Sequence, residues 1–142
     1  MISVDFYSQE YTDLPVSSLV SSLPLLIGAE GFIEGEISII ICSDDELLEI
    51  NRNHLNHDYY TDIITFDYSE GANINGDLFV SIDRIKENAD KFEVRFEEEL
   101  HRVIFHGVLH MLGYNDKSNE EQTLMRSKEN HYLKELFHVK HP

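Results

Sequence analysis

Between Arg95 and Leu112 the residues Phe96, Leu100, Val103, Ile104 and Met111 recur at helical spacing, and no other stretch constrains the chain as strongly. They predict one long helix with an apolar stripe to bury. Its last turns read His106-Gly107-Val108-Leu109-His110-Met111-Leu112-Gly113, followed by Tyr114-Asn115-Asp116. Residues four apart share a helix face with Cβ atoms roughly 5–6 Å apart, so both imidazoles can reach one cation. Gly113 can adopt the left-handed conformation that ends a helix and turns the chain back. The returning chain can bring Asp116 to the same ion. Three protein ligands and an open fourth position is the arrangement of a catalytic zinc site rather than a closed structural one.

The spacing alone leaves a plainer reading open, in which the histidines only cap and line a helix end. The chain has 8 histidines, and His54/His57 and His138/His141 are also close pairs. The HExxH pattern of zinc peptidases is not met, because Gly107 stands where its general-base Glu would be.

The remaining elements read as an α+β fold. Ile2–Tyr7 alternates apolar and polar residues as a half-buried strand does. Val16–Ile27 reads as a helix that Pro24 ends or kinks, and Gly28, Gly31 and Gly35 mark a loop. Glu36–Cys42, rich in Ile, reads as a buried strand. Ser43 and Glu46 form a capping-box pattern before a helix to about Leu55. Asp62–Tyr68 and Gly76–Ile82 read as strands paired across a turn at Ser69–Asn75. Asp83 is placed to cap a helix to about Lys91. Ser118 and Glu121 repeat the capping box before a last helix whose buried side is Leu124, Met125, Tyr132 and Leu136, and the polar tail after Phe137 is expected to fray. At 142 residues, with no repeat or linker, the expectation is a single domain at 1–142, with about four strands and four or five helices in an order the sequence does not reveal.

Charge bears on partners. The net charge is −16, and residues 1–83 contain Arg52 as their single Lys or Arg. A freestanding nucleic-acid-binding domain relies on clustered Lys and Arg, which this chain lacks. A polyanionic substrate would therefore need to be presented by a basic partner, with Arg95, Arg102, Lys117, Arg126 and Lys128 as its phosphate contacts. One cysteine, Cys42, cannot form an internal disulfide, and no apolar run approaches membrane-spanning length, so a cytoplasmic home with no membrane partner is expected.

The sequence HGVLHMLGYND resembles the HGxLHLxGYDH signature of the bacterial YbeY family of rRNA-maturation endoribonucleases. Further motifs follow in order. Asn51, Asp58 and Thr61-Asp62-Ile63-Ile64-Thr65-Phe66 are similar to the family's LN…D..TDVLSF, Gly76-Asp77-Leu78 to its GDI, and Met125 and Glu129 to its later M…E. The resemblance runs from about Glu36 to Leu133. It implies a small mixed four-stranded sheet packed with about five helices around a central metal-binding helix. It also implies a metal-dependent, single-strand-specific endoribonuclease acting in rRNA maturation, notably at the 16S rRNA 3′ end, and in ribosome quality control. The substrate is then rRNA, which the acidic charge requires to be presented on the ribosome or by a basic partner protein, with no DNA expected. Two positions depart from the family. Asp116 replaces its usual third histidine ligand, with Asn115 in the preceding Asp place, and Leu55 stands where the family often has Arg.

The implied ligand set is His106, His110 and Asp116, holding one Zn2+ or another divalent transition metal. Zinc lowers the pKa of bound water toward about 7 and polarises a phosphoryl oxygen. With Gly107 unable to act as base, the catalytic proton acceptor is unassigned. Asp62 and Arg102 are candidates, the first as base and the second for a phosphate. Plainer roles are a strand-entry acid for Asp62 and an ion pair with Glu98 or Glu99 for Arg102. The competing functions are a zinc peptidase or other hydrolase, and a non-catalytic ribosome-assembly factor with a structural metal.

Overall fold

The Ile-rich run is the middle of the sheet. In the computed structural model, which describes residues 1–7, 14, 16–56 and 59–139, strand β2 (Ile33–Cys42) lies between β1 (Ile2–Phe6) and β4 (Asn73–Ser81), parallel to both. Strand β3 (Ile63–Asp67) pairs antiparallel with β4, giving the order β1-β2-β4-β3. The mixed four-stranded sheet and five α-helices among the described residues agree with the expected α+β class. His57, Asp58 and His141 lie outside the described residues.

Alternation divides β2 between the two faces of the sheet. Ile37, Ile39 and Ile41 join Ile74, Leu78 and Val80 of β4 in the main core, against helices α1 (Ser17–Ala29) and α4 (Phe96–Met111). Cys42 and Ile40 join Ile64, Phe66 and Phe79 on the opposite face, covered by Leu47 and Ile50 of helix α2 (Asp44–Leu55). The strand begins at Ile33, earlier than the glycine pattern suggests, because Gly35 lies within it. A Cβ there would stand 2.2 Å from Asn75 Oδ1, the oxygen that accepts the Glu36 N–H at 2.8 Å.

Both capping boxes form as expected. Ser43 and Glu46 open α2, and Ser118 and Glu121 open α5 (Asn119–Tyr132). Three details differ from the sequence reading. Helix α1 runs through Pro24, because Leu19, Leu23, Leu26 and Ile27 are buried on both sides of it, and their burial outweighs the roughly 3 kcal/mol cost of an internal proline. Helix α3 (Ile82–Phe92) is capped by the Ser81 hydroxyl rather than by Asp83, since β4 leads directly into it; Asp83 instead accepts the Asp44 N–H at 2.7 Å. The inward face of α5 is Met125, Glu129 and Tyr132, which leaves Leu124 48% exposed. A π-helical segment, Leu133–His138, follows α5 and buries Leu133 and Phe137.

Helix α4 has the most buried residues of any helix described and crosses the sheet where two glycines permit close approach. A Cβ on Gly107 would lie 2.6 Å from Ile63 Cδ1 and 3.0 Å from Leu78 Cδ2. One on Gly76 would lie 2.5 Å from the Phe66 carbonyl oxygen and 2.6 Å from Met111 Cε. The glycines of HGVLH and GDL thus face one another's elements and set how closely α4 sits on the sheet.

Candidate metal centre

His106 and His110 of α4 are partly exposed, whereas the Gly107 side of the helix packs on the sheet. The chain then stops: Gly113 takes φ +106°, the Tyr114 N–H donates to the Leu109 carbonyl at 3.0 Å, and the backbone turns back. That return brings Asp116 alongside the two rings. His106 Nε2 and His110 Nε2 are 3.0 Å apart, and Asp116 Oδ2 is 3.2 Å from the first and 3.3 Å from the second. The edge of a tetrahedron with metal–ligand bonds of ~2.0–2.1 Å is roughly 3.3 Å, so the three atoms form a donor triangle of the right size for a zinc-like ion.

The outer nitrogens of both rings are fixed. His106 Nδ1–H donates to Glu129 Oε2 at 2.7 Å, and His110 Nδ1–H donates to the Tyr114 carbonyl at 2.8 Å. Each bond leaves the Nε2 lone pair aimed into the triangle; a carboxylate behind His106 and a backbone carbonyl behind His110 are the partners that metal-binding histidines usually have. Burial pushes the His106 pKa down, but its hydrogen bond and charge contact with Glu129, helped by Asp116 and Asp62, raise it overall. Burial likewise works to raise that of Glu129, yet hydrogen bonds from His106 and Arg102 hold it below the usual carboxylate range. Glu129 itself is 4% exposed and accepts from Arg102 Nη1 at 2.9 Å.

His106 and Asp116 of the triangle line a cleft of about 760 Å³ between α3, α4 and α5. Asp62 lines it, and burial raises its pKa, so the candidate base faces the site. Arg102 also lines it, bound to Glu129 and to Asn130 Oδ1 at 2.9 Å rather than to Glu98 or Glu99. Glu99 is itself buried on the cleft wall, and desolvation pushes its pKa to about 7.

Two supporting positions have no local sequence signal. Glu129 is 23 residues from His106 on another helix, and only its match to the family's M…E pattern marked it. Glu30, the residue after α1, accepts from Tyr114 Oη at 2.5 Å, from Tyr132 Oη and from Lys128 Nζ at 3.1 Å; it ties the metal-side turn to two helices. Nothing in its local sequence signals this. Asn51, matched as part of a motif, is buried and structural: its Nδ2 donates to the Tyr59 carbonyl at 2.9 Å. Of the proposed phosphate contacts, Lys128 binds Glu30, Arg95 lies 5.6 Å from the Phe137 ring, and Arg102 binds Glu129, while Lys117 and Arg126 are exposed.

A family model described as Endoribonuclease YbeY matches residues 9–137. A protein named Endoribonuclease YbeY from Flavobacterium psychrophilum is 53% identical over 96% of this chain and 94% of its own length. Another of that name from Phocaeicola vulgatus is 58% identical over 70% of this chain and 72% of its own. The solution structure of TM1509 from Thermotoga maritima superposes with a TM-score of 0.73 at 27% identity, covering 99% of this chain and 92% of that one. With a family model spanning most of its length and a relative alike almost end to end, the chain belongs to the YbeY endoribonuclease family.

Proposed function

We propose that this protein is a zinc-dependent, single-strand-specific endoribonuclease that acts in rRNA maturation, notably at the 3′ end of 16S rRNA, and in ribosome quality control. The observation that carries the reading is the donor triangle of His106, His110 and Asp116, with both outer ring nitrogens engaged and with His106 and Asp116 lining an adjoining cleft. When bound, the ion supplies Lewis acidity toward a phosphoryl oxygen and toward water.

The chain's own residues supply the rest. His106 and His110 are held in one tautomer by Glu129 and Tyr114. Arg102 holds Glu129 in place and offsets its charge. Asp62 has a raised pKa, faces the cleft and is the carboxylate placed to accept a proton. A peptidase-like base beside the first histidine has no room, because the Gly107 side meets Ile63 and Leu78 of the sheet.

The −16 charge favours rRNA presented on the ribosome or by a partner protein over naked RNA. The buried free Cys42 suits a cytoplasmic setting, and no helix among the described residues is long and apolar enough to cross a membrane. The test is cleavage of single-stranded RNA and of a peptide by zinc-loaded protein, with His106→Ala as control. The proposal predicts RNA cleavage lost in the variant and no peptide cleavage. Peptide hydrolysis by the wild type, or RNA cleavage undiminished in the variant, would overturn it.

A further inference from the structure

Besides His106 and Asp116, the cleft is lined by residues of a different chemistry. Phe92, the last residue of α3, lines it with 53% of its surface exposed. Asn88 is one turn earlier on the same helix face. Across the cleft, the start of α5 presents Asn119 and Gln122. Amide side chains both donate and accept, as the edges of nucleobases do. Arg126 also lines the cleft; its side chain is 60% exposed, and its ion pair with Glu129 is a distant 3.6 Å. Lys91 Nζ lies 5.7 Å from the centre of the Phe92 ring, so a second cation stands beside the aromatic face.

An open aromatic ring, neutral amides and flanking cations together are the means by which proteins hold unstacked nucleotides. A divalent ion or a lone phosphate could use the amides but has no use for the aromatic ring. A peptide would find no backbone edge here, since α3 and α5 are helices with internally bonded backbones.

We propose that the α3–α5 side of the cleft is a nucleobase subsite, in which an unstacked base of single-stranded RNA lies on Phe92, its edge meets Asn88, Asn119 and Gln122, and its phosphate pairs with Arg126. The assignment rests on the endoribonuclease reading of the adjacent centre. It adds the reason for strand selectivity: bases within a duplex are stacked on their neighbours and cannot reach the ring.

The chain has no tryptophan, so Phe92→Trp introduces a unique fluorophore at the subsite. Metal-free full-length protein in chelator is titrated with a short single-stranded oligoribonucleotide, with an abasic strand of equal length and with a duplex. The subsite predicts saturable quenching by the first alone. It further predicts that Phe92→Ala weakens oligoribonucleotide binding about tenfold and raises KM with kcat within about twofold. Unquenched tryptophan, with Phe92→Ala binding as wild type does while zinc-loaded wild type cleaves RNA, would remove the subsite and leave the nuclease reading intact. Wild type that neither binds nor cleaves RNA would overturn both. Because the tryptophan variant reports independently, a poorly folded alanine variant does not remove the test.

Discussion

At the scale of single residues, Asp116 is the position where this chain departs most consequentially from its family. Its carboxylate stands 3.2 and 3.3 Å from the two imidazole nitrogens, where a histidine is usual. Asp116→Ala should lower zinc affinity by more than the ~10–100-fold expected for Glu129→Gln, which removes a supporting partner rather than a ligand. Asp116→His should retain binding. Competition with a chromogenic chelator measures all three, and wild-type affinity in Asp116→Ala would place the third ligand elsewhere. Glu99 yields a pH prediction. Its carboxyl titrates at about 7 in the folded protein against an ordinary 4.5. The folded state thus holds this proton more tightly than the unfolded chain, so the contribution is full below about 4.5 and declines as pH rises to about 7. Glu99→Gln should change stability little at pH 4.5 and raise it by up to about 3 kcal/mol at pH 8. Equal melting shifts at the two pH values would contradict the buried-carboxylate account.

At the scale of elements, the fit of α4 on the sheet depends on two glycines that differ in what opposes a side chain. At Gly107 the obstacle is the tip of Ile63, which can rotate; at Gly76 it includes the backbone oxygen of Phe66, which cannot. Gly107→Ala gains about 1 kcal/mol of helix propensity against an overpacking cost of about 1–3 kcal/mol. It should therefore destabilise less than Gly76→Ala, and urea unfolding of the pair should show that order. The reverse order would mean that α4 sits differently on β3 and β4. This scale also shows why the sequence was legible in part. Caps at Ser43 and Ser118 and the Gly113 stop are local chemistry, read from neighbouring residues, and they formed as expected. The run through Pro24 and the outward turn of Leu124 were decided by packing against distant elements, which local patterns do not encode. The candidate site divides the same way. His106, His110 and Asp116 lie within eleven residues and were readable, whereas Glu129 and Glu30 reach the site across 23 and 84 residues.

At the scale of the whole molecule, the −16 charge opposes the polyanion that the cleft is proposed to receive. Isolated protein should bind naked single-stranded RNA weakly and with steep salt dependence. Neutralising Lys117 and Arg126 should flatten the plot of log affinity against log salt by roughly 0.7 per lost contact. Nanomolar binding at physiological salt, or a slope unchanged in the variant, would contradict the placement of the phosphate contacts. The donor triangle at the end of α4 is the feature on which the function depends, so the most direct measurement is elemental analysis of the protein purified without chelators, beside the double variant His106→Ala/His110→Ala. The account predicts one zinc per chain in the first and essentially none in the second; equal metal content in the two would contradict it.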